Sequence, residues 1–188
     1  IIWYITLKTS SGTVMTVSIL CTFIPQIFIS MFAGVWADRY NRKLIIMLSD
    51  LFTAMVTLTA VIFMFKGVTS LYLLFAVSAL RALGSGIQSP AVSAVMPQLV
   101  PVEKLSKVNG IYQTVSSVML LLSPAVGGLI LSTMGFRYAL LVDVITALCA
   151  VSVMMFLKID KVIDKAETES MFKQFRSGIV YIRNNQCI

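Results

Sequence analysis

The sequence predicts an all-α integral membrane protein. Of its 188 residues, 58% are hydrophobic and only 12% are charged, and the mean hydropathy is +0.91. Soluble globular proteins are roughly 45–50% apolar and about 25% charged. Apolar stretches of about 20 residues, the length of helix that crosses a hydrocarbon core about 30 Å thick, follow one another along the chain. We therefore expect a bundle of membrane-spanning helices joined by short polar linkers.

Six spans are predicted, and the first is incomplete. The chain opens on IIWYITLK, without an initiator Met or the charged segment that begins a signal peptide, so residues 1–7 are interpreted as the end of a span. The linker KTSSG leads to the second span, residues 13–35, which contains Gln26. The linker GVWADRYNRK leads to the third span, residues 44–65, in which Asp50 is the only charged residue.

The remaining three spans are also separated by short linkers that contain charged residues. Residues 71–96 come after KGVTS and contain Arg81. Residues 108–133 come after PQLVPVEKLSK and form the fifth span. Residues 137–157 follow MGFR and contain Asp143 near their start. Residues 1–157 are therefore predicted to be the membrane-spanning part of the chain.

The tail, residues 158–188, has a different character. It begins with KIDKVIDKAETES, whose low hydrophobicity and high charge predict an aqueous environment. The segment that follows, MFKQFRSGIVYIRNN, repeats apolar residues at helical spacing and carries its basic residues mostly off that stripe. This pattern predicts an amphipathic helix, either in the membrane interface or packed as a linker helix on the ends of the bundle.

The distribution of Lys and Arg predicts the orientation. Eleven of these residues fall in segments 34–43, 97–107 and 158–188, whereas the opposite side has only Lys8, Lys66 and Arg137. Because cytoplasmic segments carry the Lys/Arg excess, these three segments are predicted to be cytoplasmic in a cell or inner membrane.

Several functions are disfavoured by composition. There is no His, and Cys21, Cys149 and Cys187 lie far apart, so we expect no metal site, no cofactor and no disulfide framework. The net charge of +7 is dispersed between apolar runs and forms no continuous basic patch, which argues against nucleic-acid binding. No Ser or Cys has a base that would activate it nearby in the sequence, so an enzyme is not expected.

The stretch GVWADRYNRKLII is the most specific motif. A positive-inside anchor explains its basic residues but explains neither Asp38 nor Gly34. The stretch resembles the signature loop of the major facilitator superfamily, G-x-L-a-D-r-x-G-r-k-x-x-l, at Gly34, Ala37, Asp38, Arg39, Arg42 and Lys43. The resemblance implies a gating loop that docks on the opposite half of a transporter and stabilises one access state.

Two positions depart from that motif. Trp36 replaces Leu, and an amphipathic ring suits the membrane interface. Asn41 replaces Gly, and Asn tolerates a positive φ, so the turn is expected to form.

The ionisable residues inside the predicted spans are the next candidates, because charge within a span is costly and usually faces a bundle interior or a wet cavity. Arg81 lies about ten residues, or roughly 15 Å, into its span, and Asp50 and Asp143 each lie about 9 Å deep. Arg81 also falls where the superfamily often carries an Arg. A carboxylate that exchanges an Arg partner can bind and release a proton, which predicts proton coupling by Arg81, Asp143 and Asp50. A purely structural ion pair, or for Asp50 a pairing role at the helix end, is the alternative.

Other polar residues and a glycine motif complete the candidate site. The substrate cavity is predicted to include Gln26, Ser85, Gln88 and Gln113 besides the charged residues. In the fifth span, a degraded form of the superfamily's antiporter motif matches at Gly110, Pro124, Gly127 and Gly128, while Met119 and Ser123 occupy two glycine positions. Close helix packing is the simpler explanation of these small residues.

Over nearly its whole length, the chain resembles the drug-exporter branch of the superfamily, particularly its macrolide-efflux-like members. The resemblance implies the N-terminal six-helix half, with its first helix truncated, of a twelve-helix fold that works by alternating access. Its partners would be a small amphipathic substrate, protons, the lipid bilayer and the missing C-terminal half. An exporter of siderophores or other metabolites and a membrane sensor or scaffold without transport remain alternatives.

Overall fold

The computed structural model describes residues 1–157, without the side chain of Asp38, and every regular element in this range is a helix. The predicted amphipathic helix in 158–188 lies outside the described residues. Six helices follow in order: α1 Ile2–Thr9, α2 Gly12–Arg39, α3 Arg42–Phe65, α4 Leu71–Leu99, α5 Val102–Met134 and α6 Phe136–Phe156. The five from α2 to α6 are long and apolar enough to cross a membrane.

Two segments that the sequence suggested as loops are largely helical. The motif segment 34–43 lies in the last turns of α2 and the first turn of α3, so that only Tyr40 and Asn41 connect the two helices. Segment 97–107 is interrupted only at Val100 and Pro101. Charged residues mark where a chain leaves the hydrocarbon core, but they do not interrupt the helical hydrogen bonds of the backbone. The helices therefore extend beyond the apolar spans.

The two turns between these helices have different local structures. Asn41 has φ −62°, so the turn needs no positive φ, and its side-chain oxygen accepts a hydrogen bond from the backbone N–H of Lys43 at 3.0 Å. Asn thus replaces the motif's Gly by capping α3. Val100 is extended, at φ −126° and ψ 130°, as the steric demand of the following Pro101 requires.

Helix α4 is the centre of the bundle. It packs most extensively on α2 and α3, and α3 also packs on α6. Helix α5 contacts mainly α6, and none of its residues is buried. One apolar cluster lies at the end of the bundle that carries Arg39, Arg42 and Lys43, here called the basic end. A second cluster, which includes Ile5, Met64, Leu74 and Phe136, lies at the opposite end.

Glycine allows α2 and α4 to approach closely. A Cβ on Gly86 would lie 2.8 Å from the backbone oxygen of Gln26 and would collide with the side chain of Ile29. A Cβ on Gly84 would similarly meet the side chain of Thr53 on α3. These two glycines therefore fix the spacing of α4 from its two neighbours.

Replacement of Gly86 by alanine is expected to destabilise the protein by about 1–3 kcal/mol, the usual cost of overpacking. The added methyl group faces a backbone carbonyl that cannot rotate away. Thermal unfolding of the purified protein measures the effect. Gly110→Ala is the matched control, because a Cβ at Gly110 meets nothing within 4 Å. Equal melting temperatures for the Gly86 and Gly110 variants would contradict this packing.

Candidate functional site

An ion pair lies within the membrane-spanning helices. Arg81 on α4 donates from Nη1 to Oδ2 of Asp143 on α6 and to the hydroxyl of Thr57 on α3. The Thr57 oxygen also lies 3.4 Å from Asp143 Oδ2. The side chains of Arg81 and Asp143 are 25% and 42% exposed, whereas Thr57 is fully buried. Three helices therefore converge on one guanidinium group.

Residue spacing on α3 explains how Thr57 reaches this position. Ser49, Thr53 and Thr57 recur every fourth residue, so they lie on one face of the helix. The hydroxyls of Thr53 and Thr57 each donate to the carbonyl four residues earlier, at 2.8 Å. This small polar face allows α3 to approach α4 and carries no charge of its own.

The second intramembrane acid has a different partner. Asp50 on α3 accepts a hydrogen bond from Gln88 Nε2 on α4 at 2.7 Å. It lies two turns of α3, roughly 10 Å, closer to the basic end than Thr57. Of the two carboxylates that were predicted to reach Arg81, Asp143 makes the contact, whereas Asp50 pairs with Gln88.

Arg81 lies between two cavities. One, of about 270 Å³, is lined by Arg81, Asp143 and residues of α1, α5 and α6. The other, of about 360 Å³, has polar groups from α2 and α4 on its walls: Thr22, Gln26, Ser78, Arg81 and Ser85. Arg81 therefore lines both cavities.

Ser78 has an unsatisfied hydroxyl in the second cavity. Its side chain is 5% exposed, and within the described part of the chain its oxygen is buried without a hydrogen-bond partner. Buried polar groups normally have a partner, so this hydroxyl is an exception among the polar groups around Arg81.

The remaining predicted residues divide between this site and others. Pro124 and Gly127 line the Arg81–Asp143 cavity. Gly128 lines a neighbouring cleft near Trp3, whereas Gly110 has open space around it. Gln113 lines a separate cavity of about 450 Å³ between α4 and α5 toward the basic end. The structure therefore does not bring Gln113 to Arg81.

Two residues of the signature motif connect helix ends at the basic end. Arg42 donates to the carbonyls of Ala37 at 2.8 Å and Ala94 at 2.6 Å. Lys43 Nζ donates to the carbonyls of Met155 at 3.0 Å and Leu157 at 2.7 Å. Cations near the carboxyl ends of helices are favourable because the helix dipole is negative there. The two side chains therefore join α3 to α2, α4 and α6.

The other motif positions that the structure describes lie on α2 or in the turn that follows it. Arg39 lies in the last turn of α2. A Cβ at Gly34 would meet nothing within 4 Å, so no neighbour in the described residues requires glycine there. Trp36 lines an apolar groove of about 600 Å³ with Tyr40, Leu44 and other residues of α2 to α4.

Thr57 and Ser78 were missed by sequence reasoning. Thr57 is the last member of the Ser49, Thr53, Thr57 series, and Ser78 lies three residues before Arg81 on the same face of α4. Their spacing relative to charged residues is a usable signal, although serine and threonine in helices commonly bond only to their own backbone.

A helical bundle with an ion pair among helices that can span a membrane is the architecture of a multi-pass membrane protein with a candidate functional site in its interior. The model of the Major Facilitator Superfamily matches residues 1–188, and the chain belongs to that family. The predicted family and all-helical membrane fold are confirmed.

Individual relatives are consistent with this assignment. The chain is 30% identical to macrolide efflux protein A of Streptococcus pyogenes over 188 residues, which are 99% of this chain and 46% of the relative. It is 29% identical to macrolide efflux protein A of Enterococcus faecalis, over 94% of this chain and 55% of the relative. It is 24% identical to an uncharacterised transporter of the superfamily from Bacillus subtilis (strain 168), over 92% of this chain and 42% of the relative.

The chain spans about half the length of the curated relatives it matches. No solved structure matches the chain.

Proposed function

We propose that the protein exports small amphipathic compounds of the drug or macrolide type by proton antiport with alternating access. In this proposal, residues 1–157 form the first six-helix half, and residues 158–188 are a cytoplasmic linker toward a second half. The relatives named for macrolide efflux support the substrate class. The whole is a carrier and not an enzyme.

The ion pair between Arg81 and Asp143 is the observation that carries the proposal. In a low-dielectric environment, each of these charges requires the other. When the Asp143 carboxylate binds a proton, the attraction that holds Arg81 toward α6 is lost. The N–H groups of Arg81 then become available to the cavity on the α2 side of α4. Proton binding and substrate binding are thereby linked through one side chain.

The cavity on the α2 side supplies the substrate contacts in this proposal. Gln26, Ser78 and Ser85 offer neutral hydrogen-bonding groups around Arg81. Such groups suit the hydroxyl and carbonyl oxygens of an amphipathic ligand, while its apolar parts contact the helix walls. Gln88 and Asp50 form a second polar contact nearer the basic end, which we assign to a subsidiary proton site.

The motif segment 34–43 is proposed to be the cytoplasmic gate, with Gly34, Asp38 and Arg39 at the surface that meets the second half. Arg42 and Lys43 donate hydrogen bonds to carbonyls near the ends of α4 and α6 within the first half. These bonds fix the position of the segment relative to the bundle. A rigid segment can transmit movement of the bundle to its contact surface.

Efflux from proteoliposomes that contain the full-length protein tests the proposal. A panel of macrolides and other amphipathic cations is compared with and without a proton gradient. Export that depends on the gradient supports it. No gradient-dependent movement of any compound by folded protein would overturn the drug-antiporter assignment. Gradient-driven export of a metabolite alone would indicate the metabolite exporter, and ligand binding without flux would indicate a sensor.

A further inference from the structure

We propose that Thr57 is a positioning residue for Arg81 that keeps the guanidinium in place while Asp143 carries a proton. This inference rests on the proposed antiport, in which Asp143 is alternately charged and neutral. It assigns a role to a neutral side chain on a third helix.

The hydrogen-bonding capacity of a hydroxyl explains this role. Threonine has one O–H donor and two acceptor lone pairs. The Thr57 hydroxyl accepts from Arg81 Nη1 and donates to the backbone oxygen of Thr53 at 2.8 Å. Proton binding to Asp143 removes a negative charge from Arg81 but leaves the lone pairs of Thr57 unchanged. The Thr57 contact therefore persists in both states of the acid.

Burial makes Thr57 difficult to replace. Its side chain is 0% exposed, so its hydroxyl reaches Arg81 from the interior of the bundle. An arginine N–H without an acceptor at this depth would be costly, and Thr57 supplies an acceptor that does not depend on pH. Arg81 therefore stays between the two cavities when its ionic partner is neutral.

Other threonines of α3 do not have this arrangement. The hydroxyls of Thr53 and Thr59 donate to the carbonyls of Ser49 and Met55, each at 2.8 Å. Thr57 makes the same backbone bond and, in addition, contacts two charged side chains from other helices. Thr59 is exposed on the same helix and is a matched control.

Efflux by the full-length protein tests the inference in three variants. Thr57→Val keeps the side-chain volume but removes the acceptor, and is expected to lower gradient-driven efflux about tenfold, as for a lost hydrogen bond to a charged group. Thr57→Ser retains the hydroxyl and is expected to remain near the wild-type rate. Thr59→Val is expected to match the wild type. Equal losses in Thr57→Ser and Thr57→Val, at wild-type melting temperatures, would overturn the inference.

A second measurement is independent of transport. Thr57→Val is expected to lower the melting temperature by about 2–4 °C in the wild-type background. The same substitution is expected to have little effect in an Arg81→Leu background, where the donor is already absent. Equal lowering in both backgrounds would show that Thr57 does not act on Arg81. If the wild type exports nothing, the proposed function fails, and this thermal comparison alone decides whether Thr57 positions Arg81.

Discussion

Replacement of Arg81 by leucine is expected to abolish gradient-driven efflux and to destabilise the protein by about 3 kcal/mol. That energy is the lower end of the range for breaking a buried ion pair, chosen because 25% of the Arg81 side chain and 42% of the Asp143 side chain are exposed. The cost arises because Asp143 and the Thr57 hydroxyl lose their shared donor. Thermal unfolding and efflux measured on the same preparation check the two effects separately.

The double variant Arg81→Leu/Asp143→Leu is the control for the origin of this instability. Removing both charges leaves no unpaired ion, so part of the lost stability is expected to return while efflux remains absent. A double variant less stable than Arg81→Leu would show that the two charges do not act as a pair.

Replacement of Asp143 by asparagine is expected to uncouple substrate movement from the proton gradient. Asparagine has nearly the volume of aspartate and keeps an acceptor oxygen for Arg81, but it cannot take up a proton. The rate of gradient-driven efflux is expected to fall at least about tenfold, which corresponds to a rise of about 1.4 kcal/mol in the activation free energy of transport. Binding of the substrate at equilibrium is expected to change much less.

Asp50→Asn is the matched comparison, because Asp50 is the other acid within the spans and pairs with neutral Gln88. We expect it to have a smaller effect on efflux than Asp143→Asn. If Asp50→Asn abolished coupling and Asp143→Asn did not, the proton site would have to be reassigned to the Asp50–Gln88 pair.

The membrane-spanning architecture was predictable because hydrophobic length is a one-dimensional property. Each predicted span lies within or close to a helix of the structure. Arg81 and Asp143 could be singled out because charge within an apolar run is visible without knowledge of packing. Their direct contact could not be predicted, because it depends on how α4 and α6 are rotated about their axes.

The parts that sequence reasoning missed depend on contacts between helices. Thr57 and Ser78 are ordinary helix residues until α3 and α4 are packed together. Gln113 has a polarity suited to a cavity, but α5 places it about 11 residues, or roughly 16 Å, along the helix from Pro124. The helical structure of residues 34–39 and 102–107 was not predicted, because charged residues were taken to mark the ends of the spans.

The close contacts at the α4 glycines distinguish the packing of α2, α3 and α4 from that of α5. Gly84 and Gly86 bring α4 into close contact with α3 and α2, and the Asp50–Gln88 bond further links α3 to α4. Helix α5 has no buried residue and is attached mainly to α6. Within the described residues, α2, α3 and α4 are therefore expected to move together, and α5 is joined to them mainly through α6.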